Sequence, residues 1–138
     1  MKNYEFIEHT ADIRIRVKGK DLKELFKNSA LAMFEIMGER KNTEHPGQET
    51  IAIEQAGQDL EELFVNWLNE LLSLSATKEL IFSDFQIKKL DQHNLQAVVS
   101  GSSIKNYKIN TEIKAATYHE LKLQQIPNGW QGEVIFDV

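Results

Sequence analysis

A ten-residue pattern occurs twice in this chain and restricts its fold more than any other feature. Gly19-x-Asp21-Leu22-x-Glu24-Leu25-Phe26-x-Asn28 is matched by Gly57-x-Asp59-Leu60-x-Glu62-Leu63-Phe64-x-Asn66. In each copy an aspartate can cap a helix while the glutamate three residues on reaches back, a variant of the capping box. Ile13-x-Ile15 and Ile51-x-Ile53 precede the two copies at the same offset. The pattern therefore predicts two units of strand, glycine turn and capped helix. Duplication and convergence on one good capping solution both account for it, and two units are too few for a solenoid.

The first helix is expected to follow the Asp21 cap. Leu22, Leu25, Phe26, Ser29, Ala30, Met33 and Met37 share one face, and Gly38 supplies a stop. The second follows Gly57-Gln58-Asp59 and carries the cleanest stripe in the chain: Leu60, Leu63, Phe64, Trp67, Leu68, Leu71 and Leu72. Residues 39–49, with Pro46-Gly47, read as a polar loop. Strand-like runs occupy 13–18, 50–53, 80–82, 85–87, 95–99, 118–123 and 132–136, with turns at Asp91–Asn94 and at Pro127-Asn128-Gly129. Two helices among about seven strands, the late ones joined by short turns, predict an α+β fold. Its two amphipathic helices would pack on mostly antiparallel sheet in a single compact domain spanning residues 1–138.

Length and composition narrow the function classes. A chain of 138 residues buries roughly 70% of its unfolded surface, enough for a core without staples. It has no cysteine, which excludes disulfides, thiolate zinc sites and thiol nucleophiles and points to a reducing cytoplasm. No apolar run approaches the ~18 residues of a membrane span, and the N-terminal residues lack the apolar region of a signal peptide. Net charge is −5, and the basic residues are dispersed. Arg14, Arg16, Lys18 and Lys20 alternate along one strand as the solvated face of a sheet would. Strong direct nucleic-acid binding is not expected, since it rests on clustered cations. No phosphate-binding P-loop, dinucleotide fingerprint, zinc helix or nucleophile elbow is present.

The candidate chemistry lies at the two ends and in one late segment. His9-Thr10-Ala11-Asp12 and Ile135-Phe136-Asp137-Val138 each place a carboxylate beside a strand-like run. If the ends meet, Asp12, Asp137 and the Val138 α-carboxylate form an oxygen-only set suited to calcium or magnesium. The blander alternatives are a turn role for Asp12 and an ordinary polar strand end at Asp137. Glu112-Ile113-Lys114-Ala115-Ala116-Thr117-Tyr118-His119 supplies Lys114, Thr117 and His119, which with His9 are candidates for a polar pocket or partner contact. A structural role for His119, satisfied by a neighbouring strand, is equally open. His45 and His93 fall in polar turns and read as solvated.

Taken in order, these motifs resemble the archease family over nearly the whole chain. The resemblance rests on His9-Thr10-Ala11-Asp12, on Gly19-x-x-Leu22-x-Glu24-Leu25-Phe26, and on the helix Asp59-Leu60-Glu61-Glu62-Leu63-Phe64-Val65-Asn66-Trp67-Leu68-Asn69-Glu70-Leu71. It continues through Ile113-Lys114-Ala115-Ala116-Thr117-Tyr118-His119, Gly129-Trp130 and the final Phe136-Asp137-Val138. One stretch, Ser102 to Asn110, departs from the family pattern by lacking the Arg-His character of the loop before the Ile-Lys-Ala element.

The resemblance implies a non-enzymatic accessory protein for an RNA ligase. That ligase joins 2′,3′-cyclic-phosphate or 3′-phosphate ends to 5′-hydroxyl ends in tRNA splicing, a branch of tRNA processing, and in RNA repair. The accessory protein would promote the ligase's guanylylation by GTP and its multiple turnover. It also implies a divalent cation, calcium, bound by Asp12, Asp137 and the Val138 carboxylate. Negative charge suits an approach to a basic, RNA-binding partner surface. The competing expectation is a small divalent-metal-dependent hydrolase, with His9 or His119 as general base beside Asp12 and Asp137. A general folding chaperone or metal-independent interaction module is the third, although the helix faces carry no apolar surplus beyond a core.

Overall fold

The computed structural model describes residues 3–6, 12–41 and 47–138. Its elements are β1 (Tyr4–Phe6), β2 (Ile13–Gly19), α1 (Leu22–Met37), β3 (Gly38–Arg40), β4 (Glu49–Ala56), α2 (Leu60–Lys78), β5 (Leu80–Leu90), β6 (Asn94–Ser103), β7 (Tyr107–Ile109), β8 (Ala115–Ile126) and β9 (Gly129–Asp137). Three antiparallel sheets result, ordered β1-β2-β9-β8, β4-β6-β5 and β3-β7. The α+β expectation holds, with two helices on antiparallel sheet. The strand count differs from the expected seven. Runs 80–82 and 85–87 are one strand, β5, whose bulges shift register between Phe82 and Asp84 and again between Ile87 and Lys89. The short strands β1, β3 and β7 are additional, so part of the expected 39–49 loop is strand.

The repeated pattern corresponds to a repeated structure. Asp21 and Asp59 cap α1 and α2 with nearly identical backbones, φ/ψ −147°/−179° and −148°/178°. Each accepts a 2.8 Å bond from the glutamate amide three residues on. The Glu24 and Glu62 carboxylates bond back to the amides of Lys20 and Gln58, both at 3.1 Å. Asn28 and Asn66 each donate at 2.9 Å to the preceding strand, at the Lys18 and Ala56 carbonyls. A Cβ on Gly19 would stand 2.4 Å from the Leu25 nitrogen, and one on Gly57 2.7 Å from that of Leu63, so both glycines permit the same close helix approach.

The correspondence extends beyond the pattern. β4-α2-β5-β6 is a strand, a helix and a hairpin whose second strand pairs with the first. β2-α1-β8-β9 has the same arrangement, with the first unit inserted between α1 and β8. The β3-β7 ribbon joins the insertion's entry to its exit through Gly38↔Ile109. A duplicated unit predicts this extension; a shared capping solution alone does not.

Both helices bury their stripes between the units. Phe26 and Phe64, equivalent residues, meet edge-to-face at 5.1 Å, and the Trp67 indole donates to the Phe26 carbonyl at 3.0 Å. α1 also packs on β5 and α2 on β8, so each helix covers the outer strand of the other unit. α1 is consequently buried on more than its predicted face, at Asn28, Ala32 and Phe34 as well. Gly38 ends α1 in extended conformation and begins β3, instead of forming a left-handed stop. Among the described residues no helix is long and apolar enough to cross a membrane.

Candidate functional site

The ends of the chain meet through β2 and β9. Their ladder runs from Gly19↔Trp130 to Ile13↔Phe136, with Ile15, Val134 and Phe136 buried on the core side. Asp12 and Asp137 are the residues that follow the last paired rung, Ile13↔Phe136, one on each chain segment, so both lie at this end of the ladder. β8 adds Ala115 beside Asp137, and the Lys114 amide donates to the Asp137 carbonyl at 2.8 Å, which holds the last residue of β9 in place. Asp12, Asp137, Val138 and Lys114 are all exposed. The arrangement thus brings together four of the expected residues. His9 lies outside the described residues, as does His45.

Like charges directly across an antiparallel pair repel, which costs up to about 1 kcal/mol and favours a cation between them. Among the described residues, no three His, Cys, Asp or Glu side chains gather as a metal-ligand set. Asp12 and Asp137 are the side-chain carboxylates at this end of the ladder, and the expected third oxygen donor is a main-chain carboxylate. The donor set fits a hard divalent ion. The equivalent row of the inserted unit is Thr50–Ser100–Asp84, where the two hydroxyls bond each other at 3.0 Å. Hydroxyls thus stand at the positions equivalent to Asp12 and Asp137.

Thr117 and His119 are placed differently. Thr117 Oγ1 donates to the Ile135 carbonyl at 2.9 Å, two rungs from Asp137. β8 then leaves its register: Thr117 pairs with Ile135 and Lys122 with Glu133, so residues 118–121 form an excursion opposite a single residue, Val134. His119 sits on this excursion with its side chain 75% exposed. Glu120 adopts φ +51°, a left-handed conformation that costs a non-glycine residue about 1–2 kcal/mol. Its carboxylate forms an ion pair with Arg14, and Ile135, Arg14's ladder partner, is buried.

The pairing of Arg14 with Glu120 is not legible in the sequence, because nothing in residues 118–123 marks the excursion. Next along β2, Arg16 bonds Glu5 at 2.9 Å and Glu133 at 3.3 Å, both at regular ladder positions. The alternating basic residues are therefore the outer face of a sheet, as expected.

Two contacts fix the site to α2. The Asn69 amide donates to the Ala116 carbonyl at 3.1 Å and accepts from the Ala116 amide at 2.8 Å, in place of a neighbouring strand on the edge of β8. Tyr118 leans toward the start of α2: burial first, then the Glu62 and Asp59 carboxylates, raise its phenol above the ordinary 10.0.

Residues 4–138 match the model of the Archease protein family (MTH1598/TM1083). The protein archease of Methanosarcina acetivorans is 36% identical, over 99% of this chain and 97% of its own length. That of Pyrococcus abyssi is 35% identical over the whole of both chains. Among solved structures, Methanobacterium thermoautotrophicum protein 1598 superposes with a TM-score of 0.75 at 30% identity, covering both chains completely. An archease of Thermotoga maritima, described as a possible chaperone, superposes with a TM-score of 0.69 at 25% identity, over 97% of this chain and 96% of its own.

Proposed function

This chain belongs to the archease family, and on that premise we propose that it is a cytoplasmic, non-enzymatic activator of a GTP-dependent RNA ligase. The ligase joins 2′,3′-cyclic-phosphate or 3′-phosphate ends to 5′-hydroxyl ends in tRNA splicing or RNA repair. The activator promotes its guanylylation and repeated turnover. The observation that supports the reading is the β2/β9 register, whose last rung, Ile13↔Phe136, leaves Asp12 and Asp137 at the same end of the ladder.

Asp12, Asp137 and the Val138 α-carboxylate would hold a divalent ion, calcium, and the bound ion would supply positive charge at the partner's nucleotide site. The chain's own residues do the positioning. The ladder from Gly19↔Trp130 to Ile13↔Phe136 sets the two strands in register, and Lys114 holds Asp137 by its backbone. Asn69 anchors β8 to α2, and Lys114, Thr117 and His119, along the same edge of the sheet, would offer contacts to a partner.

The hydrolase alternative draws no support. His119 projects from an exposed excursion, and the relatives are named archease or described as a possible chaperone. The test is a multiple-turnover ligation assay with the cognate ligase, GTP and manganese, with and without a trace of this protein. Strong stimulation that Asp12→Ala abolishes, with the fold retained, supports the reading. Wild-type stimulation by Asp12→Ala overturns the role of the cation, and no stimulation by the wild type overturns the activator reading.

A further inference from the structure

Resting on the reading of Asp12 and Asp137 as a cation site, we propose that Arg14 is a phosphate-binding residue of that site, held in reserve by Glu120. The contrast with Arg16 is the starting point. Arg16 is neutralised by two carboxylates that belong to the regular ladder, and neither needs an unusual backbone. Arg14 has an apolar residue, Ile135, across the ladder. Its counter-ion is brought in by the excursion at 118–121, through a residue in left-handed conformation. Backbone strain of this kind gathers at ligand clamps and switches.

The surroundings suit an anion. Arg14 lies two residues along the chain from Asp12, and its ladder partner Ile135 lies two residues from Asp137. Its side chain is 23% exposed, so solvent and ligands reach it. The His119 Nε2 stands 3.9 Å from the other oxygen of the Glu120 carboxylate. The Glu120 carboxylate thus occupies a position between a guanidinium and an imidazole. A guanidinium fork presents paired donors to the oxygens of a phosphate.

The charge of the occupant follows from competition. Glu120 is a tethered carboxylate and holds its place at high effective concentration. A second singly charged carboxylate gains nothing by replacing it. A phosphate that shares its oxygens between Arg14 and the divalent ion gains contacts Glu120 does not make. The ligand class is therefore a phosphate oxyanion, whether of a free polyphosphate or of an RNA end.

The experiment measures binding without the ligase, so it succeeds or fails independently of ligation. Pyrophosphate, and separately a 3′-phosphorylated oligonucleotide, are titrated calorimetrically into the full chain in magnesium. Wild type is compared with Arg14→Gln, Arg14→Lys, Glu120→Gln and Asp12→Asn, each checked for an unchanged circular dichroism spectrum. Arg14→Gln is expected to weaken binding at least about tenfold, with partial recovery in Arg14→Lys. Glu120→Gln removes the competitor and is expected to tighten binding about two- to fivefold, the range of a partly exposed ion pair. Asp12→Asn is expected to weaken binding and reduce its magnesium dependence. The ligand bound more tightly identifies the source of the phosphate. Binding by neither ligand, equal affinity of Arg14→Gln and wild type, or weaker binding by Glu120→Gln overturns the proposal. Ligation stimulated normally alongside any of those results would leave the activator reading intact.

Discussion

On the proposed cation site, in which Asp12 and Asp137 would oppose each other, replacing Asp137 by asparagine removes one of the two charges and keeps the side chain's size. Opposed carboxylates on directly paired strands destabilise by about 0.2–1 kcal/mol. Both are exposed here, so water screens them and about 0.5 kcal/mol is the appropriate expectation. A chain of 138 residues gains about 0.3 kcal/mol/K of entropy on unfolding at its midpoint, so this relief raises Tm by about 2 °C in chelator. The wild type behaves oppositely when a cation is added. At a free concentration 100 times its Kd, a bound ion contributes about 2.7 kcal/mol, or about 9 °C. Asp137→Asn is expected to lose most of that gain, so the two melting curves cross between chelator and calcium. Differential scanning calorimetry in chelator, calcium and magnesium reads both effects. A wild-type Tm unmoved by any divalent ion, or a variant less stable than wild type in chelator, refutes the reasoning.

Three further perturbations have definite outcomes. Asn69→Ala strands a backbone amide and carbonyl of Ala116 on the edge of β8; it is expected to cost about 1–3 kcal/mol, visible as a lower Tm and faster hydrogen exchange at the Ala116 amide. Asp21→Ala and Asp59→Ala each remove a cap of the same geometry and are expected to cost about 1 kcal/mol apiece in chemical denaturation; clearly unequal losses would contradict the equivalence of the two units. Amide bonds from His93, then Asn94, hold the Asp91 carboxyl below its ordinary 3.8, so its folded pKa is depressed. Its contribution is present above the unfolded pKa and lost as pH falls through the folded one. Asp91→Asn is therefore expected to be less stable than wild type at neutral pH, with the gap closing in acid titrations below about pH 4.

The parts of the fold legible in the sequence were those governed by neighbours along the chain. Leu63, Phe64, Trp67, Leu68, Leu71 and Leu72 form a buried stripe because a helix repeats every 3.6 residues, and the two aspartate caps form because their partners are three residues away. Strands β3 and β7 escaped because three residues such as Gly-Glu-Arg carry no period. β5 read as two strands because its bulges break the alternation of side chains while preserving the pairing with β6. The nesting of one unit in the other was invisible, since the β2/β9 pairing joins residues far apart in sequence. Asp12 and Asp137 drew attention as isolated carboxylates beside apolar runs, and the register supplies the reason they belong together. Arg14 and Glu120 meet only because β8 leaves its ladder, which no local pattern encodes.

Nesting also orders assembly in time. The inserted unit is contiguous from Glu49 to Ser103, so its helix and hairpins close over short loops. The outer unit joins β2 to β9 across the whole insertion, and long-range closure of this kind is slow. During synthesis the inserted unit is complete before β9 has been made. Until then the edge of β2 that β9 will cover stays open. The end of the ladder at Ile13↔Phe136 is thus a late product of folding, and its closure reports that β2 and β9 have been joined.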